Sequence, residues 1–153
     1  MDIALIDPFI QAVREVVGQF GLPAEPDGGI AAHDDTVTTE DVTTFIGLVG
    51  NMTGIAACSF EAATARSLAS VMMMGMPVES LDAMAQSALA ELTNMICGTA
   101  VIALSSVHSG IDITPPSVVV GENMLFIMGS SASASVPIDL GIGMLHLTVS
   151  LES

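Results

Sequence analysis

From Ser80 to about Ser106 the chain keeps apolar residues at helical spacing for longer than anywhere else in its 153 residues, so any fold must accommodate one long helix. On a wheel that advances about 100° per residue, Leu81, Ala85, Ala88, Leu89, Leu92, Ile96, Ala100 and Ala103 share one broad arc. That arc is the face expected to be buried. A second arc, about 60° wide, holds Ser80, Ser87, Glu91, Asn94, Gly98 and Ser105, with Met84 and Met95 at its border. Solvent-facing helices usually cover such a face with Lys, Gln or Arg. Here the residues are small, and only Glu91 and Asn94 are long and polar. Gly98 costs the helix about 1 kcal/mol relative to Ala. Close approach of another body explains that cost. A solvated Glu91/Asn94 pair, with Gly98 packed on a strand of the same domain, explains the spacing as well.

The mean hydropathy of +0.72 raises the question of a membrane span. The longest uncharged run through this segment, Leu92 to Val107, falls short of the roughly 20 residues a span needs, and it carries Thr, Asn, Gly and Ser. The expectation is a core helix. The N-terminus, "MDIALIDPFI", begins with an acid and lacks the basic region of a signal peptide. Seventeen acids face two bases, Arg14 and Arg66, with no Lys, for a formal charge of -15. That balance excludes a phosphate-backbone partner, whose affinity comes largely from Lys and Arg, and repels anionic membranes. Cys58 and Cys97 lie in apolar surroundings and are expected to be buried and reduced, which suits the cytoplasm.

Helical spacing also covers 2–20, with Gly21 as a stop. Residues 21–35 suggest a loop or an irregular strand, and "TVTTEDVTTFIGLVGNMTGIAACSF" a hairpin turning at Gly50-Asn51. A helix follows with Ser59 as its cap and Gly75 near its end. The last third alternates, which suggests three strands; the final one could expose an edge to a second copy. "LVGNM" and "VVGENM" echo each other and raise the question of a duplication, although hairpin turns converge on Gly and Asn anyway. The methionines at 72–74 are expected in the core, and Asp112 at a strand edge. The expected layout is one domain over residues 1–153.

His33, His108 and His146 lack metal-ligand spacing, so no metal site is expected, and no specific Mg²⁺ or Zn²⁺ binding by this chain alone. No G-x-S-x-G elbow and no phosphate-cradling glycine loop occurs.

"SALAELTNMICGTA" resembles the signature helix of the CheC/CheX/FliY family of chemotaxis phosphatases, Glu-x-x-Asn followed by Gly four residues later, here Glu91, Asn94 and Gly98. "SFEAATARSLASVMMMGMPVESLD" before it and "DITPPSVVVGENM" after it match the family layout, while 21–36 has no counterpart. Asn occurs at 51, 94 and 123 only, so there is one signature, as in the CheX type. The resemblance implies an α/β (α+β) fold, CheC-like, with long helices packed on an antiparallel sheet, and often a homodimer. It implies an enzyme that stimulates hydrolysis of the aspartyl phosphate on a CheY-like response regulator. Glu91 and Asn94 are then the catalytic pair, with Ser87, Met95 and Gly98 docking the partner. It implies no cofactor on this chain, with Mg²⁺ held by the response regulator. The alternative is a non-catalytic CheC-like module that docks on a response regulator or a receptor-modifying enzyme. A flagellar-switch adaptor resembling the larger FliY is disfavoured by the short length.

Overall fold

The computed structural model describes residues 2–33, 36–127 and 132–152. After a 3-10 turn at Ile3–Ile6, helix α1 (Asp7–Gly18) has Pro8 in its first turn, where its fixed φ is suited. Two short strands follow, β1 (Glu25–Pro26) and β2 (Ala31–His33), then β3 (Thr36–Thr38). The expected hairpin is present as β4 (Val42–Gly50) and β5 (Thr53–Phe60), turning at Gly50, whose φ of +109° suits glycine. Helix α2 (Ala62–Met72) leads to α3 (Ala83–Leu104). Among the described residues the last third holds five strands rather than three: β6 (Ile111–Ile113), β7 (Ser117–Val120), β8 (Leu125–Ile127), β9 (Ser133–Asp139) and β10 (Met144–Glu152).

All strand pairs are antiparallel, and the main sheet runs β1-β9-β10-β5-β4-β6, with β2 also on β9 and β7 also on β4. This order contains an internal twofold pattern. Each half runs helix, two short strands, one strand, hairpin: α1-β1-β2-β3-β4-β5 and α3-β6-β7-β8-β9-β10. Each half lends its short strands to the other's hairpin, while β5 pairs with β10 and β3 with β8 across the centre. The echoing stretches do not occupy matching places: one is the β4–β5 turn, the other the β7–β8 connection.

Alternation divides the sheet into two faces. Val42, Thr44, Ile46, Leu48, Ala56, Cys58, Phe60 and the odd-numbered Leu145–Leu151 positions of β10 lie buried under the helices. The opposite face is mixed: Phe45, Ile55 and Ala57 share it with Thr43, which is hydrogen-bonded to Ser59 at 3.1 Å. Phe126 of β8 packs edge-on against Phe45 there, with ring centroids 5.6 Å apart.

Three further expectations change. β10 is not an edge, because β5 and β9 flank it on both sides. Ser59 does not cap α2. It lies within β5 and accepts from the Glu40 N–H, while Asp41 Oδ2 accepts from Ala62 N at 2.8 Å. The Met run divides: Met72 packs against the core, but Met74 is 96% exposed. Asp112 does lie on an edge strand, β6.

Candidate functional site

Helix α3 begins where Asp82 Oδ1 accepts from Ala85 N at 2.9 Å, a side-chain cap on an Ala-, Leu- and Met-rich sequence. By length and hydropathy it passes as a membrane span, but Ala85, Leu89, Leu92, Ile96 and Ala100 are wholly buried against the core. The buried arc also takes in Thr93, Cys97 and Leu104. Leu81 and Ala88 are half-buried, and Ala103 is exposed.

Thr93 fixes the helix on the sheet. It is fully buried, donates to Leu89 O at 3.1 Å and bonds the Thr44 hydroxyl of β4. The next residue, Asn94, is thereby turned about 100° around the axis, out of the buried face, and Glu91 lies nearly opposite Thr93. Sequence reading missed Thr93, although the wheel places it in the buried arc beside Leu89 and Ala100. Beneath it lie two free cysteines. Burial pushes the Cys58 thiol up to about 12, with a hydrogen bond from Thr93 pulling the other way. Burial also raises Cys97, and the neighbouring Cys58 adds to it.

The outward face brings the candidate residues together. Ser87 and Glu91 are exposed, and Asn94, Met95 and Gly98 are half-buried. Among the described residues, Glu91 and Asn94 have no hydrogen-bond or ion-pair partner. No buried side-chain N or O is left unpaired there either, so the Asn94 amide faces solvent. Met95 leans back on the core. A Cβ on Gly98 would meet nothing within 4 Å, so the glycine does not serve packing against a strand of its own domain. The stripe is therefore a shallow, unobstructed strip of helix backbone with one carboxylate and one amide raised on it.

Under the internal twofold, α1 is the counterpart of α3. Its buried residues Phe9, Ala12, Val13, Val16 and Val17 match Leu89, Leu92, Thr93, Ile96 and Cys97 in spacing. Gln11, Arg14 and Gly18 then stand where Glu91, Asn94 and Gly98 stand, and a Cβ on Gly18 also meets nothing within 4 Å. The side chains differ. Arg14 donates to Gln11 Oε1 at 3.2 Å and to Ala24 O at 3.3 Å, and reaches Glu25 at 4.0 Å.

The histidines are scattered. His33 bonds Ser135, and His146 lies 3.6 Å from Glu40. Among the described residues no group of three His, Cys, Asp or Glu is placed to hold a metal.

Comparison with known proteins is consistent with this geometry. The family described as "Chemotaxis phosphatase CheX" matches residues 42–139. The "CheY-P phosphatase CheX" of Thermotoga maritima is 34% identical over 122 residues, covering 79% of this chain and 76% of that protein. A chemotaxis protein CheX from Desulfovibrio desulfuricans superposes with a TM-score of 0.87 at 24% identity, covering 98% of this chain and 100% of that one. A structure of the CheX–CheY–BeF3–Mg²⁺ complex from Borrelia burgdorferi matches with a TM-score of 0.78 at 25% identity over 99% of both chains. With its antiparallel sheet, its paired helices and most of its length inside the match, this chain belongs to the CheX family of chemotaxis phosphatases.

Proposed function

We propose that this protein is a phosphatase that stimulates hydrolysis of the aspartyl phosphate on a CheY-like response regulator by laying α3 over the phosphorylation site. The observation that carries this reading is the unpartnered Glu91/Asn94 pair on an open helix face. The names of the Thermotoga and Borrelia relatives support the choice of partner.

An acyl phosphate is already activated. It lacks a water in line with phosphorus, and the loose transition state leaves catalysis mostly to positioning and electrostatics. The Asn94 amide oxygen can accept from that water while its NH₂ donates elsewhere. Water attacks phosphorus, the bond to the aspartyl oxygen breaks, and inorganic phosphate and the free carboxylate leave. Mg²⁺ belongs to the response regulator in this scheme. A carboxylate at position 94 would meet the phosphoryl oxygens. Glu91, one turn away on the same face, instead pairs with a partner Lys at the rim. Ser87 and Gly98 keep the helix surface low on either side, and Met95 lines its border.

The protein acts in the cytoplasm on this reading, which the free buried thiols support. It acts as a homodimer. The outer edge of β7 and the exposed Val120 and Leu125 supply a surface for a second copy in place of β10. Light scattering that finds only monomer at micromolar concentration removes the dimer.

The deciding experiment is Asn94→Ala. Turnover of the phosphorylated partner should fall on the order of a hundredfold, with the fold and partner binding kept. Turnover near wild type would leave a docking module without catalysis.

A further inference from the structure

Along its whole length, Ala83–Leu104, α3 carries one charged residue, Glu91, in a chain whose acids outnumber its bases 17 to 2. Two large apolar side chains stand exposed on it, Met84 at 62% and Ile102 at 75%. Both lie about 20° from Glu91 around the axis, Met84 about two turns before it and Ile102 about three turns after. They are about 27 Å apart along the helix. An isolated exposed apolar side chain needs no explanation, but two of them in line with the unpartnered Glu91, with Asn94 flanking that line, make a strip.

We infer that Met84 and Ile102 are apolar anchors at the two ends of the footprint by which α3 docks on a response regulator. The inference rests on α3 being the docking helix. Charge decides the occupant. A second copy has no Lys to offer Glu91, and of its two Arg one, Arg14, is already engaged by Gln11 and Glu25. An anionic lipid surface is repelled by a chain of charge -15. A globular partner with one cation between two apolar patches fits the strip. Anchors of this kind seat in desolvated pockets and set how long a complex lasts.

Met84→Ser, Ile102→Ser and the double variant test the inference through two titrations. The first measures binding of a beryllofluoride-loaded, Mg²⁺-bound CheY-like response regulator. The second measures turnover of the same regulator phosphorylated. Each single variant should weaken binding and raise KM about tenfold, with kcat within about twofold and the melting temperature unchanged. The double variant should lose about a hundredfold, because sites this far apart act additively. Wild-type titrations of both single variants overturn the inference, as does a fall in kcat at constant KM. So does dissociation of a homodimer by either substitution, which makes the occupant a second copy. Loss of wild-type binding to phosphatidylserine vesicles overturns it in favour of a lipid surface. Asn94→Ala separates the two readings: if it retains turnover, the catalytic reading falls, while the binding titration still decides the anchors.

Discussion

Helices α1 and α3 occupy matching places in an internal twofold and bury matching faces, yet their outward faces differ in what is held down. On α1, Gln11 and Glu25 engage Arg14, and the chain satisfies its own polar groups. On α3, Glu91 and Asn94 have no partner among the described residues, and Thr93 and Cys97 replace the α1 valines beneath them. The scaffold alone therefore does not make a site. The same helix on the same sheet becomes a closed surface or an open one through two outward positions, Gln11 or Glu91 and Arg14 or Asn94, with an open Gly at the third.

Placing a Lys at the matching positions gives the largest expected contrast. Glu91→Lys sets a cation against the partner Lys and should raise the half-saturating concentration on the order of a hundredfold, whereas Gln11→Lys should change it less than about twofold. Steady-state titration of phosphorylated regulator reads both. Glu91→Gln should raise KM about tenfold with a smaller fall in kcat, since a desolvated carboxylate–Lys contact serves binding. An unchanged KM, a collapsed kcat and a lost acidic limb of the pH profile would make Glu91 a general base instead.

The two open glycines sharpen the contrast. Ala fits at both in the free protein, so Gly18→Ala and Gly98→Ala should each stabilise the fold by up to about 1 kcal/mol, or a few °C in melting temperature. Only Gly98→Ala should also raise KM, by roughly fivefold to tenfold, because only that methyl enters an interface. Equal activity losses in both variants would assign docking to both helices.

What the sequence made legible follows from how local each cause is. The spacing of Leu89, Leu92, Ile96 and Ala100 specifies α3 without reference to the rest of the chain, and Gly50-Asn51 specifies the β4–β5 turn. The pairing of the short strands in 21–33, where the spacing suggests only a loop or an irregular strand, is not legible, because Glu25 finds its partner at Asp139 and Ala31 at Ser135, far along the chain. Alternation in β10 correctly signals a strand but not which neighbours flank it, so a central strand was mistaken for an edge. The cap of α2 was misassigned because its acceptor, Asp41, is 21 residues before the N–H it serves. The α1 face escaped notice because Arg14 in place of Asn breaks the signature while preserving its spacing.

The buried thiols give a smaller, pH-dependent difference. In the folded chain Cys58 is pushed up to about 12 from a usual 9.0, and Cys97 is raised further by burial. The unfolded chain ionises both from about pH 9, so stability present below that pH is lost as pH rises, by up to about 1.4 kcal/mol per pH unit for each thiol. Cys97→Val gives α3 the residue that α1 has at Val17 and leaves one such thiol. Urea midpoints between pH 8 and 11 should then fall about half as steeply as in wild type. An identical slope would mean that Cys97 does not titrate with unfolding.

The least change is expected from building the signature into α1. Gln11→Glu with Arg14→Asn writes Glu-x-x-Asn-x-x-x-Gly across 11, 14 and 18. The change removes an exposed Arg14–Glu25 contact, worth at most about 1 kcal/mol, so the fold should survive. Introduced into Asn94→Ala, it asks whether the motif is sufficient. It should not be. The position matching Met84 is Ala4, in the 3-10 turn, and the one matching Ile102 is Leu22, half-buried beyond the end of α1. With only a methyl at Ala4 and a half-buried Leu22 at the matching positions, the grafted pair cannot hold a regulator long enough to place a water. Turnover should stay within about twofold of the Asn94→Ala parent, because without bound partner positioning has nothing to act on. Recovery of a tenth of wild-type turnover or more would show that three outward residues on this helix pair are enough, and that Met84 and Ile102 are dispensable.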